Sequence, residues 1–178
     1  MRNTISVLIA MVFCSVILFG FMVFSPSTDG CPAGNSGSPA DGKDCSACHK
    51  AKAKTQEGLI TSNINGKYVP GKTYTITAMV KGDSKAKKFG FQISPQDSKG
   101  KLMGKIIVTD TLGTKIVGNG KYIDQMKKGT DGIGSKAWSF NWTAPAKNSG
   151  DVTFYGSFLI GGKPETVYNS SLSVKENK

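Results

Sequence analysis

Histidine is almost absent from this sequence: His49 is the only one. Arginine is as scarce, with Arg2 alone, and 12 acidic side chains face 23 basic ones. Each shortage excludes something. With one imidazole and few, scattered carboxylates, the chain has no spare general base to activate a Ser or Cys nucleophile. Hydrolytic chemistry is therefore disfavoured, and the chain reads more as an electron-transfer or binding protein than as an enzyme. Bidentate recognition of phosphates and base edges depends on Arg, so specific nucleic-acid binding is disfavoured too. Outside an N-terminal apolar run, no stretch carries the period of a helix of ordinary length. No internal repeat is present.

That run covers residues 5–24, ISVLIAMVFCSVILFGFMVF, preceded by Arg2 as a short positive flank. It reads as a secretory signal peptide or an uncleaved signal anchor, and both readings export residues 31–178. No clear A-x-A cleavage site follows the run, but Ser25-Pro26-Ser27 is small and turn-prone. The expected division is 1–27 as signal or anchor, 28–55 as a Gly/Pro-rich segment, and 56–176 as one folded domain. The formal charge of +11 comes almost wholly from lysine. It suits an acidic partner or surface, or a solubilising coat that guards sheet edges. The even spread of the lysines along the chain fits the coat better.

Chemistry concentrates in Cys45-Ser46-Ala47-Cys48-His49. Cys-x-x-Cys-His is the attachment pattern of c-type haem. Its thiols add to the haem vinyl groups, and the adjoining imidazole binds iron as proximal ligand. A lone His excludes bis-histidine ligation within the chain. A sixth ligand must then be Met, Lys, water or a group from another molecule. Thioether opposite His is established haem chemistry, and Met79, Met103 and Met126 are the candidates. Met126 ranks first because it lies in a polar stretch before Lys127-Lys128-Gly129, where packing does not explain it. The surrounding 118–134 reads as a long Gly-rich loop able to fold over a site.

Two other readings of the motif stand beside haem. Cys45 and Cys48 could form a disulfide with His49 incidental, or Cys31, Cys45, Cys48 and His49 could make a Cys₃His zinc set. Haem leads because the pattern is complete and the chain is exported. Cys31 is then an odd thiol, available for pairing between chains or for a lipid.

From Leu59 onward, short runs of β-branched and aromatic residues alternate with Gly, Asn, Asp and Pro. Residues 73–80 read TYTITAMV, with Tyr74, Ile76, Ala78 and Val80 on one face. Strands are also expected at 59–61, 89–93, 102–109, 138–143, 151–160 and 166–174. Trp138, Phe140 and Trp142 alternate strictly and should point inward. Such spacing predicts an all-β, immunoglobulin-like antiparallel sandwich of about seven or eight strands. The preceding 25–44, rich in Gly, Pro, Ser and Asp, reads as a linker or an irregular loop wrapped over something.

Tyr68-Val69-Pro70-Gly71-Lys72-Thr73-Tyr74-Thr75-Ile76, Phe89-Gly90-Phe91-Gln92-Ile93, Trp138-Ser139-Phe140-Asn141-Trp142-Thr143-Ala144-Pro145 and Gly150-Asp151-Val152-Thr153-Phe154-Tyr155 occur in the order seen in reeler (reelin N-terminal-like) domains. The 34–42 stretch leading into Cys-x-x-Cys-His resembles the secreted bacterial branch of that family. The resemblance spans about 31–170 and implies an immunoglobulin-like fold and export, but no single function. Such relatives carry a His shortly after the Tyr-Ile pair. Here the stretch reads Tyr122-Ile123-Asp124-Gln125-Met126, so a distal His is missing. Two functions are therefore expected. One is an exported monohaem c-type protein for electron transfer or redox or ligand sensing at the cell envelope, with an unidentified redox partner. The other is a non-haem cell-surface binding or scaffold module, whose Cys-rich segment is a stabilising clasp.

Overall fold

A computed structural model describes residues 29–177. The apolar run at 5–24 lies outside the described residues. Among those described, no helix is long and apolar enough to cross a membrane.

Alternation builds two sheets. The smaller orders β2 (Ile60–Ser62), β4 (Thr73–Lys81), β9 (Ser135–Thr143) and β6 (Lys105–Val108). The larger orders β1 (Ala53–Thr55), β11 (Thr166–Glu176), β10 (Val152–Gly161), β5 (Lys88–Gln96), β8 (Tyr122–Gln125) and β7 (Thr114–Val117), with β3 (Lys67–Tyr68) also on β11. The sandwich is as expected, but eleven strands form rather than seven or eight. The additions are short, at two to four residues each, and β1 and β3 pair parallel to β11. Expected strand 102–109 starts later, at Lys105. The stretch 118–134 is not one open loop: it holds β8 and a 3₁₀ turn at Lys127–Gly129.

Between the sheets, Ile76, Trp142, Phe140, Phe91, Ile93, Phe154 and Phe158 are fully buried, and Trp138 nearly so. Trp142 meets Tyr68 edge-on at 5.6 Å and Phe154 at 5.0 Å, while Phe91 stacks on Trp138 at 4.5 Å. Such pairs add about 0.5–1.5 kcal/mol beyond the area they bury. Both indole N–H groups find backbone acceptors, Trp138 on Gly129 O and Trp142 on Met103 O, each at 2.8 Å. Neither burial leaves a donor unpaired.

The outer faces of the two sheets differ. On the smaller sheet, Thr73, Thr75 and Met79 of β4 are exposed, as period 2 predicts. On the larger sheet, Gln92, Ser94, Gln96 and Ser157 also face away from the aromatic core, yet they are buried. Gln96 Nε2 donates to Ser94 Oγ and Ser94 Oγ to Lys121 O, while the segment 29–48 covers Gln92 and Ser157. Rich in Gly, Pro and Ser, it has little ladder of its own, so it bonds to the polar groups beneath. Asn35 N–H donates to Gln92 Oε1 at 2.7 Å, Gln92 Nε2 to Pro32 O at 3.1 Å, and Cys45 N–H to Ser157 Oγ at 3.0 Å. Tyr122 O–H donates to Asp41 and Asn169 Nδ2 to Asp44, both at 2.7 Å. Gly30 and Gly37 have positive φ and lie so close to Asp124 and Asn169 that an added Cβ would come within 2.9 Å of side-chain atoms. Only glycine meets both demands. The expected wrapped loop is thus a strap packed onto the sheet.

Candidate functional site

The strap delivers the Cys-x-x-Cys-His motif to the sheet. Asp44 caps the turn, its Oδ1 accepting from Ser46 N–H at 2.7 Å. Burial works against the Asp44 carboxylate, but hydrogen bonds from Ser46 and Asn169 outweigh it and hold its pKa below the ordinary value. A 3₁₀ turn at Cys45–Ala47 follows, and His49 N–H reaches back to Cys45 O at 3.1 Å. Residues 49–52 carry no regular structure, and β1 begins at Ala53. One turn sets Cys45 and Cys48 at the i, i+3 spacing that places side chains on a shared face.

Beneath and beside this turn lies a cavity of about 400 Å³. That falls within the roughly 300–1,000 Å³ typical of cofactor and ligand sites. Gly90 on β5 and Leu159 and Gly161 on β10 contribute its floor, with Leu159 paired to Gly90 across the two strands. Cys31, Cys45, Cys48 and His49 all line it, and so do Gln125 and Thr130. His49 is mostly buried, and its Nδ1 lies 3.1 Å from Glu165 Oε1. A carboxylate on Nδ1 favours a proton there and leaves Nε2 as the lone-pair nitrogen, the arrangement found in metal-ligating histidines.

The thiols differ. Cys45 is buried and Cys48 is exposed; both are free, as is Cys31. Burial pushes the Cys45 thiol up to about 12, against the effect of Ser157. Burial and the Asp124 carboxylate raise the Cys31 thiol further. Behind Cys31, Asp124 is fully buried, and burial pushes its pKa up to about 6 despite hydrogen bonds from Cys31 and Gln92. Its Oδ1 has no partner among the described residues.

Two site expectations need correction. The zinc set fails geometrically: its residues share the cavity, but among the described residues no three His, Cys, Asp or Glu side chains gather closely enough to hold a metal ion. Met126 is not on the cavity wall. It precedes the Lys127–Gly129 turn, and its N–H bonds to Gly113 O at 2.7 Å. The residue before it, Gln125, reaches the cavity, because its Oε1 accepts from Phe91 N–H at 2.7 Å. Met79 is exposed on the smaller sheet and Met103 is buried in the core. Sequence reasoning passed over Gln125, Glu165 and Gly90. The one available signal was the position of Gln125 directly after Tyr-Ile-Asp.

No protein-family model matches the chain, and no curated protein does. Solved structures do. The reeler domain of human F-spondin (fragment 1) is 16% identical with a TM-score of 0.54, covering 72% of this chain and 96% of that one. The Reelin-N domain of F-spondin is likewise 16% identical, with a TM-score of 0.55, covering 72% of this chain and 93% of that one. At such identity the likeness shows the fold alone.

Proposed function

From a chain with the reeler-domain fold, we propose an exported binding module whose ligand site is the cavity between strap and larger sheet, and whose ligand is covalently attached haem c. One observation carries this reading: Cys45, Cys48 and His49 lie on one turn at the wall of a roughly 400 Å³ cavity, with His49 Nδ1 held by Glu165. The residues fit the group. Cys45 and Cys48 would form the thioethers, His49 Nε2 would face the iron, and Gly90 leaves the floor without a side chain. Leu159 and Pro32 supply apolar wall. Haem, when bound, supplies a redox-active iron at the cell envelope. The lysine-rich surface would favour an acidic redox partner.

Co-expression with a cytochrome c maturation system tests the reading. A red protein that keeps its haem through denaturing electrophoresis is expected. Cys45→Ser and Cys48→Ser should each weaken or abolish attachment.

A second reading rests on how the strap is held. Its hydrogen bonds to Gln92, Ser157 and Tyr122 need no bound group. A non-haem surface-binding module, with Cys45 and Cys48 joined as a clasp, is compatible with that docking. It predicts a colourless product two hydrogens lighter than the reduced chain.

A further inference from the structure

The groups lining the cavity are nearly all engaged. Glu165 holds His49. Asp44 is occupied by Ser46 and Asn169. Lys88 Nζ pairs with Asp131 at 2.6 Å. Cys31 Sγ accepts from Gln92 Nε2 at 3.0 Å, and burial keeps the thiol protonated. Asn35 donates its side-chain N–H to Pro32 O. Of the three methionines considered as axial ligands, none lines the wall. No methionine stands at the wall, and Lys88, the lysine that lines it, is turned toward Asp131.

Gln125 is different. Phe91 N–H is a donor, so the atom facing it must be the amide oxygen, which fixes which way the side chain points. The amide NH₂ is then the free end. It lies over the cavity floor, where a Cβ added at Gly90 would stand 3.3 Å from Nε2. Among the described residues it makes no hydrogen bond. A fixed amide donor aimed into a largely apolar cavity selects for a ligand that carries an acceptor atom.

We propose that the site leaves the sixth coordination position open to a small exogenous ligand of the diatomic class, and that Gln125 donates the hydrogen bond that recognises it. This rests on the haem reading and deepens it from electron transfer toward ligand sensing. Gln125 acts on the ligand directly, and its side chain is held ready by the β5 backbone. Closure by an internal ligand would require movement of the strap or of the turn at 127–129.

The test uses the full chain matured with haem, in the reduced form, with carbon monoxide as probe. Wild type should bind carbon monoxide readily, with the spectral change of a five-coordinate haem taking a sixth ligand. Gln125→Leu should still bind it, but with the infrared C–O stretch moved to higher wavenumber, because a donor near the ligand oxygen is lost. Gln125→Leu also removes the acceptor for Phe91 N–H and can fail to fold. Gln125→Glu keeps that acceptor and removes the donor, so it should give the same upward shift. Thr75→Ala, on the bare face of the smaller sheet, should leave carbon monoxide binding and the stretch as in wild type. A red protein whose reduced form is six-coordinate and refuses carbon monoxide overturns the open position and leaves the haem reading standing. An unchanged stretch in Gln125→Glu overturns the role of Gln125. A colourless protein overturns both the inference and the haem reading.

Discussion

The outer faces of the two sheets carry similar side chains and meet opposite fates. Thr73 and Thr75 on β4 stand in solvent, and Thr75, Thr77 and Thr73 bond sideways to Asn141, Ser139 and Thr143 on β9. Gln92 on β5 lies under the strap, and Ser94 and Gln96 on the same face are as fully buried. A polar outward face in a strand sequence thus has two readings, a solvated face or a face with a polar covering. Side-chain chemistry separates them in part. The bare face uses short side chains, mostly hydroxyls, that bond to one another across the strands. The covered face uses Gln, which offers a donor and an acceptor at a reach suited to bare backbone. The cavity exists because the covering is incomplete over Gly90.

The comparison predicts a ladder of effects. The largest belongs to the shared core: Trp142→Ala should cost on the order of 3–5 kcal/mol, read as a lowered denaturant midpoint. It sets the scale for both faces.

Asp124, beneath the strap, comes next. Its folded pKa of about 6 lies above the ordinary 3.8. The folded state then holds its proton more tightly than the unfolded state. The resulting stabilisation is full below pH 3.8 and is lost as pH rises to about 6. The loss approaches about 3 kcal/mol on the linkage relation. Asp124→Asn should flatten stability across that window. A wild type whose stability does not fall there would remove the buried acid from the account.

The faces themselves separate under truncation. Gln92→Ala leaves the N–H of Asn35 in the strap unpaired and should cost about 1–3 kcal/mol. Thr75→Ala on the bare face should stay within about 0.5 kcal/mol. Equal costs would mean that the strap does not bury Gln92 in solution. A functional counterpart is Gly90→Leu, which fills the cavity floor. It should prevent haem attachment while the far-ultraviolet circular dichroism remains that of the sandwich.

These elements also mark how far the sequence could be read. The long strands β4, β5, β9, β10 and β11 were legible because one face of each packs on the aromatic core, which writes period 2 into the chain. Trp138, Phe140 and Trp142 were placed correctly for that reason. The burial of Gln92 and Ser94 was not legible, since alternation reports which face is apolar and is silent on what covers the other. The parallel pairings of β1 and β3 leave no local signal either, because their partner is over a hundred residues away in β11. At the site, Cys45, Cys48 and His49 were legible as a motif because their spacing is local. Glu165 and Gln125 were not, since they reach the cavity from the far end of the chain and from a strand that reads as loop. Composition favours Met126, whereas position on the folded backbone favours its neighbour.

The most direct test of the central claim is the covalent state of Cys45 and Cys48 in protein exported by a host competent for haem attachment. The account predicts one haem per chain, bound through both thioethers, shown by the intact mass and by the pyridine complex of the reduced haem. A colourless chain, at the mass of free thiols or lighter by two hydrogens, would contradict it.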